Sequence, residues 1–207
     1  MALRGEIFAD EFANGRLADG WEWVDPRRDC SCRITPDNKL EITSPHGHDM
    51  WPACNYNAPR LIRPVEGDFI LETRLTVQPR ILFEGAGLFL WRNMDNFIRF
   101  DRGHRGEGDF PLAEGPEIGC SKEEDGTFLE VCREKCDLTT LLMRIVREGN
   151  HLSLQYGESG MTWRKLGSTT FDVRENLKAG VYVICSRYPD DTPGSLTATF
   201  DYIKIET

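Results

Sequence analysis

The clearest pattern along the chain is strict alternation. In Asp68–Val77 (DFILETRLTV), Phe69, Leu71, Thr73, Leu75 and Val77 fall on one face, and Ile70, Glu72, Arg74 and Thr76 on the other. A period of two is the signature of a half-buried strand. Ala86–Arg92 (AGLFLWR) is a nearly continuous apolar run, the pattern of a central strand. Asn96–Asp101 (NFIRFD) follows after the turn Asn93-Met94-Asp95, which makes a three-strand meander. Leu141–Glu148 (LLMRIVRE) ends at Gly149-Asn150, a two-residue turn that favours positive φ. His151–Tyr156 then pairs back, and Thr162–Leu166, Gly180–Ser186 and Thr197–Glu206 continue in the same style. The last of these is apolar on both faces and is placed centrally. Leu138–Leu142 has some helical character, but Thr139-Thr140 and the alternation that follows favour the start of a strand. Gly103–Lys122 shows few strand signals and is expected to be a long loop.

With 19 glycines and 11 prolines scattered as punctuation, and no repeat or composition break, residues 1–207 read as a single all-β domain. A chain of 207 residues can bury a core without disulfide staples. The net charge of −9 and the lack of a Lys/Arg block argue against a nucleic-acid partner and an anionic membrane surface. No apolar run approaches the roughly 18–20 residues of a membrane span. The N-terminus has no apolar signal core, which predicts a cytoplasmic location.

The order of short motifs resembles the concanavalin A-like lectin/glucanase superfamily. The likeness is to bacterial "regulation of enolase"-like proteins and to the C-terminal sandwich of certain β-xylosidases. Phe8–Phe12 (FADEF) with Trp21-Glu22-Trp23 is similar to an opening "F-x-D-D-F … W-x-W". Gly67-Asp68-Phe69, Glu72, Arg74 and Ala86-Gly87-Leu88 are similar to "GDF-x-x-E-x-R … AGL". Arg147–Trp163, and Ala179-Gly180-Val181 with Ala198–Ile203 (ATFDYI), complete the set. The resemblance implies a jelly-roll sandwich of two antiparallel sheets. It does not fix a function, because one fold hosts many sites.

Hydrolases of this superfamily carry E-x-D-x-x-E on a strand, where one carboxylate stays ionised while another holds a proton. That motif is absent. Glu114 and Glu117 have a similar spacing but sit among Gly and Pro, and Glu123-Glu124-Asp125 reads as an acidic turn. No catalytic residue is assigned. The expected role is a non-catalytic carbohydrate-binding or accessory module with an oligo- or polysaccharide partner. A hydrolase using Asp101, Asp109, Glu114 or Glu117 with His104, and a cytoplasmic protein-interaction module, are the alternatives.

The expected ligand face holds Asp49 and Trp51, which match a D-x-W common in related sequences, with Trp91, Arg99, Asp101 and His104 from the AGL strand, its partner and beyond. Aromatic rings can stack on a sugar while the polar groups bond its hydroxyls. The alternative is that Trp51 and Trp91 belong to the core and that Arg99 and Asp101 lie on a solvated strand edge. Many relatives hold a structural calcium where the N-terminal segment meets the last strand. By resemblance, Asp201 would give a side-chain oxygen, and the backbone near Glu11 and Asn38 would complete the shell. The alternative for Asp201 is an ion pair with a nearby Arg. Seven cysteines, an odd count, favour free thiols. Cys30-x-Cys32, His46-x-His48 and Cys132-x3-Cys136 keep zinc open, and Cys132 and Cys136 keep a disulfide across a hairpin turn at Arg133–Lys135 open.

Overall fold

The computed structural model describes residues 7–105, 115–158, 160, 162–172, 175–186 and 194–207. Its strands are β1 (Ile7–Asp10), β2 (Glu22–Val24), β3 (Ser31–Ile34), β4 (Leu40–Pro45), β5 (Arg60–Pro64), β6 (Phe69–Val77), β7 (Glu84–Asn93), β8 (Asn96–Arg105), β9 (Gly115–Glu124), β10 (Thr127–Lys135), β11 (Thr140–Glu148), β12 (His151–Gly157), β13 (Arg164–Thr170), β14 (Lys178–Cys185) and β15 (Ser195–Glu206). A 3-10 turn at Ala13–Gly15 is the one helical element among the described residues, and none is long and apolar enough to cross a membrane.

Two antiparallel sheets pack face to face as a jelly-roll sandwich, the architecture expected from the sequence. The eight-stranded sheet runs β13-β12-β11-β6-β15-β4-β3, with β1 also on β15. The seven-stranded sheet runs β10-β9-β8-β7-β14-β5-β2. β6 has the alternation its sequence dictates, every second residue buried from Phe69 to Val77. Those inward residues meet Ala86, Leu88 and Leu90 of β7 in one apolar core between the sheets. At about 1.5–3 kcal/mol for each large side chain buried, this core is the main stabilising term. Gly149 takes φ 59° at the β11–β12 turn, a conformation that costs glycine little.

Three expectations need correcting. Of the expected loop Gly103–Lys122, Gly103–Arg105 ends β8 and Gly115–Lys122 belongs to β9, while 106–114 lie outside the described residues. The acidic turn is narrower than Glu123–Asp125: Glu123 and Glu124 are in β9, and Asp125-Gly126 turn with φ 50° and 74°. Arg133–Lys135 is the end of β10, so it makes no hairpin turn between Cys132 and Cys136. β15 is central by pairing but buries one face. Leu196, Ala198 and Phe200 point inward, a register shift follows at Asp201-Tyr202, and Ile203 and Ile205 resume.

The FADEF motif has a structural explanation. Buried Asp10 accepts hydrogen bonds from the amides of Phe12 and Ala18 (3.0 and 2.8 Å) and from Trp21 Nε1 (2.8 Å). This fixes the N-terminal corner, where the Arg63 guanidinium lies over the Phe8 ring.

Candidate functional site

The seven-stranded sheet is apolar on its outer face as well. Phe89, Phe97, Tyr182, Ile62 and Ile184 form a second cluster there, capped by Met50 and Ala58 from the segment after β4. This is why AGLFLWR reads as apolar throughout: Ala86, Leu88 and Leu90 face the core, and Phe89 and Trp91 face the cluster. Further along β7 and β8 the cover stops and the surface dips. Gly85 pairs with Gly103, and Gly87 pairs with Asp101. A Cβ at Gly85 or Gly103 would come within 3.2 or 3.1 Å of Asp101 Oδ1, so the glycines leave room beside that carboxylate.

The dip is a cavity of about 200 Å³. Its polar wall holds Asp49, Glu84, Arg99, Asp101, His104 and Glu130, and Trp51, Phe83, Phe128 and Ile184 form its apolar wall. Asp49, Arg99 and Asp101 are each at most 5% exposed. Burying charged groups is costly unless they are paired and hydrogen-bonded. Here Arg99 Nε donates to Ser121 Oγ (3.0 Å), and its Nη1 lies 3.6 Å from Asp49 Oδ1. Asp49 also accepts from Ser186 Oγ and from the Met50 amide, both at 2.6 Å. The Tyr182 hydroxyl donates to Asp101 Oδ2. These bonds lock the rotamers of the floor before any ligand arrives.

The walls are fixed too. Asn55 Oδ1 accepts from the amides of Asp49 and Asn57 (3.0 Å each), and its Nδ2 donates to the Gly47 carbonyl (3.1 Å). Trp51 and Asn55 bridge through their backbones, so Trp51 is presented on a tight turn with 40% of its surface exposed. Phe83 holds φ 62°, a conformation a bulky side chain rarely adopts. Its amide donates to the His104 carbonyl (2.9 Å) and its carbonyl accepts from the Ser186 amide (3.2 Å). Backbone strain of this kind concentrates at functional sites.

Asp49, Trp51, Arg99, Asp101 and His104 thus line one cavity, although they come from two separate segments of the chain, the loop after β4 and strand β8. Trp91 stands apart. It stacks on Phe89 and Phe97 (centroids 5.7 and 5.9 Å), with the Arg60 guanidinium 4.4 Å from its ring. Sequence reasoning missed Phe83, Glu84, Phe128 and Glu130. Nothing in the local pattern marks them, because the cavity is assembled across four strands and two loops. Asp109 and Glu114 lie outside the described residues. Glu117 is buried on β9, 3.1 Å from Arg133, away from the cavity.

Strand register brings the calcium candidates together. Asp10 pairs with Ile203 and Leu40 with Phe200, so Glu11 and Asn38 flank the irregularity that carries Asp201. The charges there suit an ion-pair network instead. Arg74 Nη1 donates to Asp201 Oδ2 at 2.6 Å, and Lys39 Nζ lies 3.6 Å from Oδ1. A calcium ion there would compete with these two cations for Asp201, whose Oδ1 is buried with no hydrogen-bond partner among the described residues.

All seven cysteines are free thiols. Burial pushes the Cys32 thiol up to about 12. Cys30 also rises to about 12, through burial first and then the charges of Asp25 and Asp29. Neutral, buried thiols are poor nucleophiles.

Residues 23–106 match the model of a family described as a protein of unknown function, DUF1349. No curated protein matches. Among solved structures, the GH43 BlXynB protein from Bacillus licheniformis is similar at TM-score 0.74 and 15% identity, over 96% of this chain and 39% of that one. The chain thus spans about two fifths of the GH43 protein's length. A functionally unknown protein from Saccharomyces cerevisiae is similar at TM-score 0.70 and 12% identity, over 89% of this chain and 95% of its own. The carbohydrate-binding module CBM66 from Bacillus subtilis is similar at TM-score 0.58 and 15% identity, over 91% and 96%. At such identities these likenesses establish the fold.

Proposed function

We propose that the cavity on the outer face of the seven-stranded sheet binds carbohydrate, taking a single sugar ring. The observation that carries this is a rim of aromatic rings, Trp51, Phe83 and Phe128, around the buried polar floor of Arg99, Asp49 and Asp101. Rings offer an apolar plate to a sugar face, and the floor offers fixed donors and acceptors to its hydroxyls. A volume of about 200 Å³ is below the roughly 300–1,000 Å³ of drug-sized pockets, which suits a terminal residue better than an extended chain. The likeness to the CBM66 module and to sandwich-bearing GH43 proteins supports this reading.

A hydrolytic reading has one observation in its favour: four carboxylates, Asp49, Glu84, Asp101 and Glu130, line the same cavity. A glycan array run beside a product-release assay on a polysaccharide panel separates the two. Binding without turnover supports the binding module. Turnover that is lost in Asp101→Asn supports the hydrolase. Neither binding nor turnover overturns both.

A further inference from the structure

We propose that His46, Glu84 and Cys185 form a binding site for a divalent transition metal of the zinc class, behind the Glu84 wall of the cavity. The proposal does not rest on the carbohydrate reading, although the two sites share Glu84. His46 Nε2 lies 3.8 Å from Glu84 Oε1, and Cys185 Sγ lies 3.9 Å from the same oxygen. All three donor atoms lie within 4.8 Å of one another. Around a tetrahedral zinc with ligand bonds of about 2.0–2.3 Å, donor atoms stand roughly 3.3–3.7 Å apart. The two separations measured from Glu84 Oε1 need shifts of only a few tenths of an ångström. The His46–Glu84 separation is too wide for an imidazole–carboxylate hydrogen bond, while the Cys185 thiol donates to Glu84 Oε1 and would give up that proton on binding a metal.

The backbone holds the three donors in place. Glu84 is the register partner of Cys185 across β7 and β14. The amides of Gly47 and His48 donate to the Cys185 carbonyl (2.8 and 3.1 Å), and the Cys185 amide donates to the His48 carbonyl (3.0 Å). The His46 amide donates to the Gly194 carbonyl (3.1 Å), and a Cβ at Gly194 would come within 2.9 Å of the His46 ring. Glu84 Oε2 accepts from the amides of Arg80 and Ile81 (2.6 and 3.2 Å), which turns Oε1 toward His46 and Cys185. Such outer bonds orient metal ligands. Glu84 is 2% and Cys185 0% exposed, so an ion would be shielded from water on that side. Three protein donors of N, O and S type leave one coordination position for water or a ligand atom.

A second group of candidate ligands, Asp25, Asp29, Cys30 and His48, is closed by hydrogen bonds. His48 Nδ1 and Nε2 lie 2.8 Å from the Pro45 carbonyl and from Asp29 Oδ1. Both Asp25 oxygens accept backbone amides, from Arg28 and Cys30 (2.9 and 3.0 Å). That group is satisfied as it stands.

The test is a titration of chelator-treated protein with Zn²⁺ and with Co²⁺. The expected result is one equivalent bound, a higher Tm, and a near-ultraviolet thiolate-to-cobalt absorption band. Cys185→Ser should abolish the band. His46→Gln, at a ring that is partly exposed, should weaken metal binding at least tenfold with the fold kept. Cys30→Ser should change nothing. Absence of binding in the folded protein, a band that survives Cys185→Ser, or a band lost in Cys30→Ser overturns the assignment.

Discussion

The outer faces of the two sheets are built on different principles. On the eight-stranded sheet the outward residues form short polar cross-strand pairs. Thr43 meets Thr197 at 2.8 Å, Thr76 meets Thr140 at 2.9 Å, and Arg144 donates to Gln155 at 2.9 and 2.7 Å. This face is solvated, and each pair adds a modest amount. On the seven-stranded sheet the outward residues are large aromatics under a cover, and then buried charges around a cavity. A sheet that needs only one buried face spends polar residues on the other. A sheet that buries both is shaped on its second face by something beyond the sandwich itself.

The contrast can be broken most sharply at Phe89. Phe89→Ala should cost about 3–5 kcal/mol, or roughly 10 °C in Tm for a chain of this size, because the side chain is fully buried outside the main core. Thr197→Ala, an outward position on β15, should cost less than about 1 kcal/mol when both variants are compared by urea titration. Equal effects would show that the second cluster is not a true core.

The next largest effect divides the two tryptophans. Trp91→Ala should lower stability by about 2 kcal/mol and leave ligand affinity unchanged, because its ring is stacked on Phe89 and Phe97. Loss of affinity with unchanged stability would return Trp91 to the ligand face.

Smaller is the effect at Asp201. Arg74→Met should cost less than about 1 kcal/mol, since the Arg74 side chain is 39% exposed. Thermal melts with added calcium and with chelator should coincide for the native chain. A calcium-dependent rise in Tm that disappears in Asp201→Asn would overturn the ion-pair account of that position.

The last effect is confined to alkaline pH. Burial holds the folded Cys32 thiol at about 12, above its ordinary value of 9.0. Both states keep the proton below pH 9, so stability is unaffected there. Between 9 and 12 the unfolded chain ionises first, so stability falls as pH rises through that window. Urea unfolding of the native chain and of Cys32→Ala at pH 8 and pH 10.5 checks the sign: the native chain should lose more stability on going up.

Where the sequence was legible follows from the same contrast. β6 has one face in water and one in the core, so its alternation is clean. β7 is covered on both faces, and its apolar run said so. β9 was unreadable because it buries Glu117, Ser121, Lys122 and Glu123, which look exposed in any hydrophobicity pattern. Lys122 survives burial by donating to Glu124 (2.6 Å), two residues on, and to the Thr170 carbonyl (3.0 Å), a partner far away in the chain. Local rules fail where tertiary polar networks take over, and Ser121 of β9 bonds Arg99 of the cavity floor. The Asp49-Met50-Trp51 triplet was legible as a motif. Glu84 and Phe128 were not, because only the strand register brings them to Asp101.

The most direct test is calorimetric titration of a panel of mono- and disaccharides into the native chain and into Trp51→Ala and Arg99→Met. Saturable binding of at least one sugar is predicted. It should weaken about tenfold in Trp51→Ala, with Tm unchanged, and about 10–100-fold in Arg99→Met. A sugar that binds all three proteins equally, or no sugar that binds the native chain, would contradict the account.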